Sequence, residues 1–140
     1  MVAEASSGSA PPAPRTLVEP LAAFRDARGS LFEPLNDREL GLQRNVHVVL
    51  TEPGAVRGNH RHAHSTEITA VVGPCLVRLK EGDAVRDVHV PAGETWRFTI
   101  PPGVAHAYRN TGQAPMVLVS FNSSRHDPAA PDTIREIILE

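Results

Sequence analysis

Residues 54–73 read GAVRGNHRHAHSTEITAVVG. His60 and His62 are two apart, and side chains two apart on a strand leave the same face of the sheet. If that face lines the inside of a barrel, both imidazoles converge on one point. Glu67 opens the apolar run that follows, and a short hairpin is expected to bring its carboxylate alongside the two rings. Farther on, residues 101–110 read PPGVAHAYRN, where Pro101 and Gly103 force a turn that delivers His106 onto a new strand. Three imidazoles and one carboxylate suit Zn, Fe(II), Mn or Ni, and a site with open positions acts as a Lewis acid. One divalent ion is therefore expected at His60, His62, Glu67 and His106, with zinc foremost. A single histidine would be read as a surface or core residue; four donors at these spacings outweigh that reading.

Short apolar runs surround this stretch, at residues 45–51, 67–72, 75–80, 87–90, 95–100, 105–109 and 116–121. Gly or Pro stands between most of them, as in Pro53-Gly54, Gly73-Pro74, Gly82-Asp83 and Thr111-Gly112. Runs of this length and spacing, without an amphipathic helix between them, indicate an all-β sandwich or barrel. Residues 35–42 have room for one helical turn. Residues 1–15 are rich in Pro, Ala and Ser and too poor in apolar side chains to repay ordering, so they are expected to be a tail, and residues 16–140 one domain.

Composition excludes several functions. Fourteen Lys and Arg against sixteen Asp and Glu leave a charge of −2, with no basic run to attract nucleic acid or an anionic membrane. No stretch approaches the ~18 apolar residues of a membrane span. Cys75 is the only cysteine, so no intrachain disulfide forms. A cytoplasmic protein is expected, with Cys75 as a small core residue.

The two histidine stretches resemble the paired signature motifs of the cupin superfamily, Gly-x5-His-x-His-x3,4-Glu-x6-Gly and Gly-x5-Pro-x-Gly-x2-His-x3-Asn. The first is carried by Gly54, His60, His62, Glu67 and Gly73, with five residues rather than six before the last Gly. The second is carried by Pro101, Gly103, His106 and Asn110, with Gly93 two residues early. This resemblance implies a cupin, a jelly-roll barrel of double-stranded β-helix type. A narrower resemblance covers roughly residues 24–134. Phe24-Arg25-Asp26-Ala27-Arg28-Gly29 looks like the opening of deoxysugar-nucleotide epimerases and ketoisomerases. Arg57-Gly58-Asn59-His60-Arg61-His62 with Thr66-Glu67, and the closing Pro131-Asp132-Thr133, are similar to the C-terminal cupin domain of capsular-polysaccharide sugar-nucleotide enzymes. What these imply is a metal-dependent epimerase or isomerase of a nucleotide-linked 4-keto-6-deoxysugar. The chain departs from that pattern at His126, which replaces an aromatic residue, and at His64-Ser65.

Tyr108 and Asn110 follow His106 at two-residue steps and are expected to point inward with it. Tyr108 is the first candidate for proton transfer, as donor or acceptor, with His64 behind it. His60 is read as a metal ligand, because an imidazole nitrogen bound to metal has no lone pair for a proton. Arg57, Arg78, Lys80 and Asn110 are the candidate substrate contacts, the cations for phosphate or carboxylate. Trp96 and Phe98 share one face and are read as core or a dimer seam. His47, His89 and His126 are read as ordinary barrel or surface residues. The expected partners are a nucleotide sugar and a second copy of the chain, with residues 17–35 available as a swapped strand. Two other readings compete, a cupin oxygenase or cyclase, which would need a redox metal for O2 chemistry, and a non-enzymatic ligand-binding cupin.

Overall fold

The computed structural model describes residues 11–140. Of the expected tail, residues 1–10 lie outside that range, and residues 11–15 form no regular element. The elements in chain order are β1 (Leu17–Pro20), β2 (Phe24–Asp26), β3 (Gly29–Leu31), α1 (Asp37–Gly41), β4 (Asn45–Thr51), β5 (Val56–His62), β6 (Glu67–Val72), β7 (Cys75–Glu81), β8 (Ala84–Val90), β9 (Thr95–Ile100), β10 (Ala105–Asn110), β11 (Met116–Asn122) and β12 (Thr133–Arg135). They build two five-stranded antiparallel sheets, ordered β1-β9-β6-β11-β4 and β12-β5-β10-β7-β8, and the small hairpin β2-β3. From β4 to β11 the chain changes sheet at every connection except the β7-β8 hairpin, which is the jelly-roll form of a cupin.

That alternation corrects one expectation. β5 and β6 do not form a hairpin: β5 pairs with β10 and β12, and β6 with β9 and β11. Glu67 therefore meets the histidines from the opposite sheet, across the interior. The Gly and Pro clusters between the apolar runs are the sheet-to-sheet corners, which explains why so few of them close tight hairpins.

The period-two patterning behaves as expected for strands with one face inside. In β11, Met116, Leu118, Ser120 and Asn122 are buried while Val117, Val119 and Phe121 are half-buried. Val71, Val77, Leu79, Phe98, Ile100 and Leu118, with others including Cys75, form the apolar core, and Trp96 packs against it. Trp96 and Phe98 thus belong to the core. This apolar filling occupies one part of the interior. The polar residues of β5, β6 and β10 occupy another.

The outer faces are tied down separately. α1 is capped by Asn36, whose side chain accepts from the Glu39 amide at 2.8 Å while its own amide donates to the Glu39 carboxylate at 3.1 Å, a capping box. The same carboxylate accepts from Arg97 at 2.7 Å, fastening the helix to β9. On the other sheet, residues 133–140 run over the outer face, where Leu139 is buried against Leu76 and Ala107. Asn59 holds this strap: its side chain accepts from the amides of Ile138 and Leu139 and donates to the Leu139 carbonyl, all within 3.0 Å.

Candidate metal centre

The strand that carries His60 and His62 does not alternate regularly. Tyr108 of β10 pairs with Arg57 and Ala107 with Gly58, but His106 pairs with His60, so Asn59 is an extra residue in the ladder. Gly58 and Asn59 both have positive φ, 91° and 55°. A Cβ on Gly58 would lie 2.7 Å from the His106 carbonyl oxygen, so only glycine permits the approach. The bulge reverses the face of everything that follows it. Arg57 and His60 are three apart, and without the bulge they would lie on opposite faces of β5. With it, Arg57, His60 and His62 all turn to the interior and the Asn59 side chain turns out to the strap.

His60, His62, Glu67 and His106 converge, with one donor atom from each lying within 4.8 Å of the other three. The Glu67 carboxylate is 3 % exposed and the His106 ring 0 %. His62 Nε2 lies 2.7 Å from Glu67 Oε2 and His106 Nε2 3.6 Å from Glu67 Oε1. Thr69 donates to Glu67 Oε1 at 2.7 Å, and the hydroxyls of Ser120 and Tyr108 approach the same oxygen at 3.3 and 3.4 Å. Burial by itself would raise the Glu67 carboxyl, but the His106 and His62 imidazoles hold it well below the usual carboxylate range. Burial, reinforced by His106, pushes His60 down to about 4, so its ring is neutral at pH 7. Burial opposes charge on His62 as well, yet Glu67 and Asp132 raise it above the ordinary value.

The donors fit a divalent cation. His106 Nδ1 lies 3.0 Å from the Val104 carbonyl, which can only accept, so Nδ1 carries a proton. Nε2 is then left facing Glu67, buried and without a hydrogen-bond partner. An orphaned imidazole nitrogen beside a buried carboxylate and two more imidazoles is costly unless a cation joins them. His62 shows the same two-sided arrangement, with Nε2 toward the cluster and Nδ1 3.5 Å from Asp132. Asp132 is itself held by the amides of His64 and Ser65, at 2.8 and 3.1 Å, and by the Ser65 hydroxyl.

Two cavities adjoin the cluster. One, of about 300 Å³, is bordered by His60, Glu67, Tyr108, Arg57 and Ser120. The other, of about 460 Å³, is bordered by His62, Asn122, Arg125, His126 and Asp132. His47 of β4 borders both.

Of the residues singled out in the sequence, Arg57 and Tyr108 border the smaller cavity. Tyr108 is 3 % exposed, and burial together with the Glu67 charge raises its hydroxyl well above the ordinary value, so it stands as a neutral phenol. His64 is exposed, borders neither cavity, and takes part through its backbone amide. Three expected substrate contacts lie elsewhere. Arg78 and Lys80 point to the outer face of β7, where Arg78 is engaged by Asp87 and the Ile138 carbonyl and Lys80 by Glu136. Their parity on the strand decides this, since Val77 and Leu79 take the inward positions. Asn110 does turn inward, but its amide bridges the Thr51 and Ala114 carbonyls and caps the Gly112 amide, so it clamps a corner. Cys75 is a core thiol, 1 % exposed and pushed up to about 12 by burial.

Asp132, Ser120, Asn122 and His47 also border or support the cluster, though the sequence reading does not mark them as site residues. Asp132 stands in the closing Pro131-Asp132-Thr133, so the motif carried a signal. Ser120 and Asn122 alternate on the inward face of β11, and His47 on that of β4, positions that become meaningful only once the opposing sheet is known.

Sequence and structure comparisons agree with this architecture. The chain is 27 % identical over 128 residues to the spore coat polysaccharide biosynthesis protein SpsL of Bacillus subtilis (strain 168), covering 84 % of this chain and 85 % of SpsL. The capsular polysaccharide assembling protein CapF of Staphylococcus aureus superposes with a TM-score of 0.63 at 28 % identity, over 85 % of this chain. The chain spans only 33 % of CapF. QdtA, a sugar 3,4-ketoisomerase of Thermoanaerobacterium thermosaccharolyticum solved with TDP, shares the fold with a TM-score of 0.67 at 18 % identity, over 86 % of this chain and 88 % of QdtA. Residues 24–134, from the β2-β3 hairpin to the β12 strand that follows Asp132, match one family along their whole length, and the chain belongs to the polysaccharide biosynthesis C-terminal domain family.

Proposed function

We propose that the protein is a metal-dependent epimerase or isomerase of a nucleotide-linked 4-keto-6-deoxysugar. The observation that carries this reading is a buried four-donor cluster that opens onto a cavity with a cation, Arg57, at its rim. Membership of a polysaccharide biosynthesis family supports a sugar substrate, and the fold shared with QdtA supports a keto-sugar linked to a nucleotide. A QdtA variant of the same fold has been solved with TDP-4-keto-6-deoxyglucose.

Epimerisation and ketoisomerisation next to a carbonyl both begin with loss of an α-proton, and the developing enolate must be stabilised. His60, His62, Glu67 and His106 would hold one divalent ion, zinc foremost, and such an ion supplies a Lewis-acid contact to a ketone oxygen. Tyr108, a neutral phenol, acts as a hydrogen-bond donor inside the smaller cavity. Arg57 has no acidic partner among the described residues and is placed to receive a phosphate oxygen. The larger cavity beside it gives room for the remainder of a nucleotide sugar, and both volumes lie near the ~300–1,000 Å³ common for small-molecule sites.

A homodimer belongs to the same reading. Val46, Val48 and Leu50 form an apolar row on the outer face of β4, 57–63 % exposed, and β4 is an edge strand. A second copy packed over that face would cover the row, and pairing along the β4 edge would satisfy its open backbone groups. β1 is paired with β9 of its own chain, so within residues 17–35 the hairpin β2-β3, with Phe24 and Leu31 exposed, is the part free to reach a partner.

The test is hydrogen exchange. Incubated in heavy water with TDP-4-keto-6-deoxyglucose, the zinc-loaded protein should introduce deuterium next to the ketone, and chelator-stripped protein should do so at least ~100-fold more slowly. Equal rates would remove the metal from the chemistry. The absence of exchange in the loaded protein would overturn the enzymatic reading.

A further inference from the structure

We propose that His47 is the general base of this site, the group that takes the α-proton; the inference rests on the enzymatic reading above. It follows from what each proton-carrying side chain around the cavity is already doing. His60, His62 and His106 are in the donor cluster, so their inward nitrogens are committed. Tyr108 is buried with its hydroxyl 3.4 Å from Glu67 Oε1, so it is already engaged with a donor of the cluster. His64 and His89 are exposed on surfaces that border neither cavity, and His126 borders only the larger one. His47 is the one remaining imidazole that faces the metal cavity.

Its position suits the role. β4 pairs with β11 so that His47 lies opposite Ser120, whose hydroxyl is 2.8 Å from Thr69 and 3.3 Å from Glu67. His47 is therefore separated from the carboxylate of the cluster by the single strand β11, while remaining outside the set of donors. It borders the 300 Å³ cavity together with His60 and Tyr108, and also the 460 Å³ cavity. A substrate with its keto-sugar in the first and its nucleotide toward the second passes His47 at the junction. Being exposed, the ring has freedom to reach the substrate and access to solvent for proton exchange.

The step balances with no co-reactant besides solvent water. A lone pair of the His47 ring takes the proton from the carbon beside the ketone; the C–H pair becomes the C=C bond, and the carbonyl π pair moves to oxygen. For epimerisation, solvent water supplies a proton to the opposite face of the same carbon, and the proton held by His47 passes to solvent. Return of the proton to the carbon that bore the ketone, with a proton shift between the two oxygens, exchanges ketone and alcohol.

The experiment uses full-length, zinc-loaded protein and TDP-4-keto-6-deoxyglucose in heavy water, with wild type, His47→Ala and His47→Gln. Both variants are expected to keep the wild-type zinc content and TDP affinity and to lose exchange by about 10²–10⁴-fold. Added imidazole is expected to restore exchange to His47→Ala but not to His47→Gln, where the side chain still fills the space. Wild-type exchange rates in the variants would overturn the assignment, and so would loss of zinc or a defect in His47→Ala that imidazole does not relieve. No exchange by the wild type defeats the enzymatic reading itself, which separates the two failures.

Discussion

Replacing His106 with alanine separates a structural cost from a metal-linked one. In the stripped protein the substitution removes a ring that is 0 % exposed and leaves the Val104 carbonyl, 3.0 Å from His106 Nδ1, without that partner. An unpartnered buried acceptor costs about 1–3 kcal/mol. In the loaded protein the variant also loses a donor. A ligand that binds only the native state stabilises it by about 2.7 kcal/mol at 100 times its dissociation constant. Unfolding entropy of about 2.1 cal/mol/K per residue over 140 residues makes 1 kcal/mol equivalent to about 3.4 °C. Wild type should therefore gain about 9 °C in Tm on zinc loading at that ratio. If loss of the ligand weakens zinc by about 100-fold, the same concentration gives the variant only about 0.4 kcal/mol, or roughly 1 °C. Scanning calorimetry of stripped and reloaded samples reads both quantities. An equal rise in wild type and variant, or no rise in wild type, would refute the assignment of His106 as a ligand.

Two other outcomes follow from neighbouring features. Asp132→Asn keeps the shape beside His62 Nδ1 but removes the charge, and zinc affinity measured by calorimetric titration should fall about 10–100-fold while the fold persists; an unchanged dissociation constant would mean that Asp132 only ties the loop at His64 and Ser65. Val48→Lys places a charge in the middle of the exposed row on β4 and should convert a dimer to a monomer by light scattering; a wild-type particle of monomer mass at micromolar concentration would remove that interface.

Local pattern was enough to establish that this chain is a strand-rich barrel, and the pairing of His60 with His62, the later Glu67 and the turn before His106 was enough to name the donor cluster. The His60–His62 step is set by spacing along one strand and the turn before His106 by local chemistry, but Glu67 reaches the rings from the opposite sheet and not through the hairpin that spacing suggests. What local pattern could not decide was which sheet each strand joins and which way the remaining polar residues face. Arg57, Arg78 and Lys80 look alike in the sequence, each a cation on or beside an apolar strand. Only the ladder shows that a bulge at Asn59 puts His60 and His62 on the same face as Arg57, whereas the parity of β7 sends Arg78 and Lys80 out to Asp87 and Glu136. Asn110 and Tyr108 are equally inward by parity, yet one is consumed by a corner and the other stands beside Glu67. His47 gains its meaning only because β11 brings Ser120, and through it Glu67, next to β4. A strand's own period determines which residues share a face; the face that becomes the inside is decided by contacts between residues far apart in the chain, and those exist only in the folded barrel.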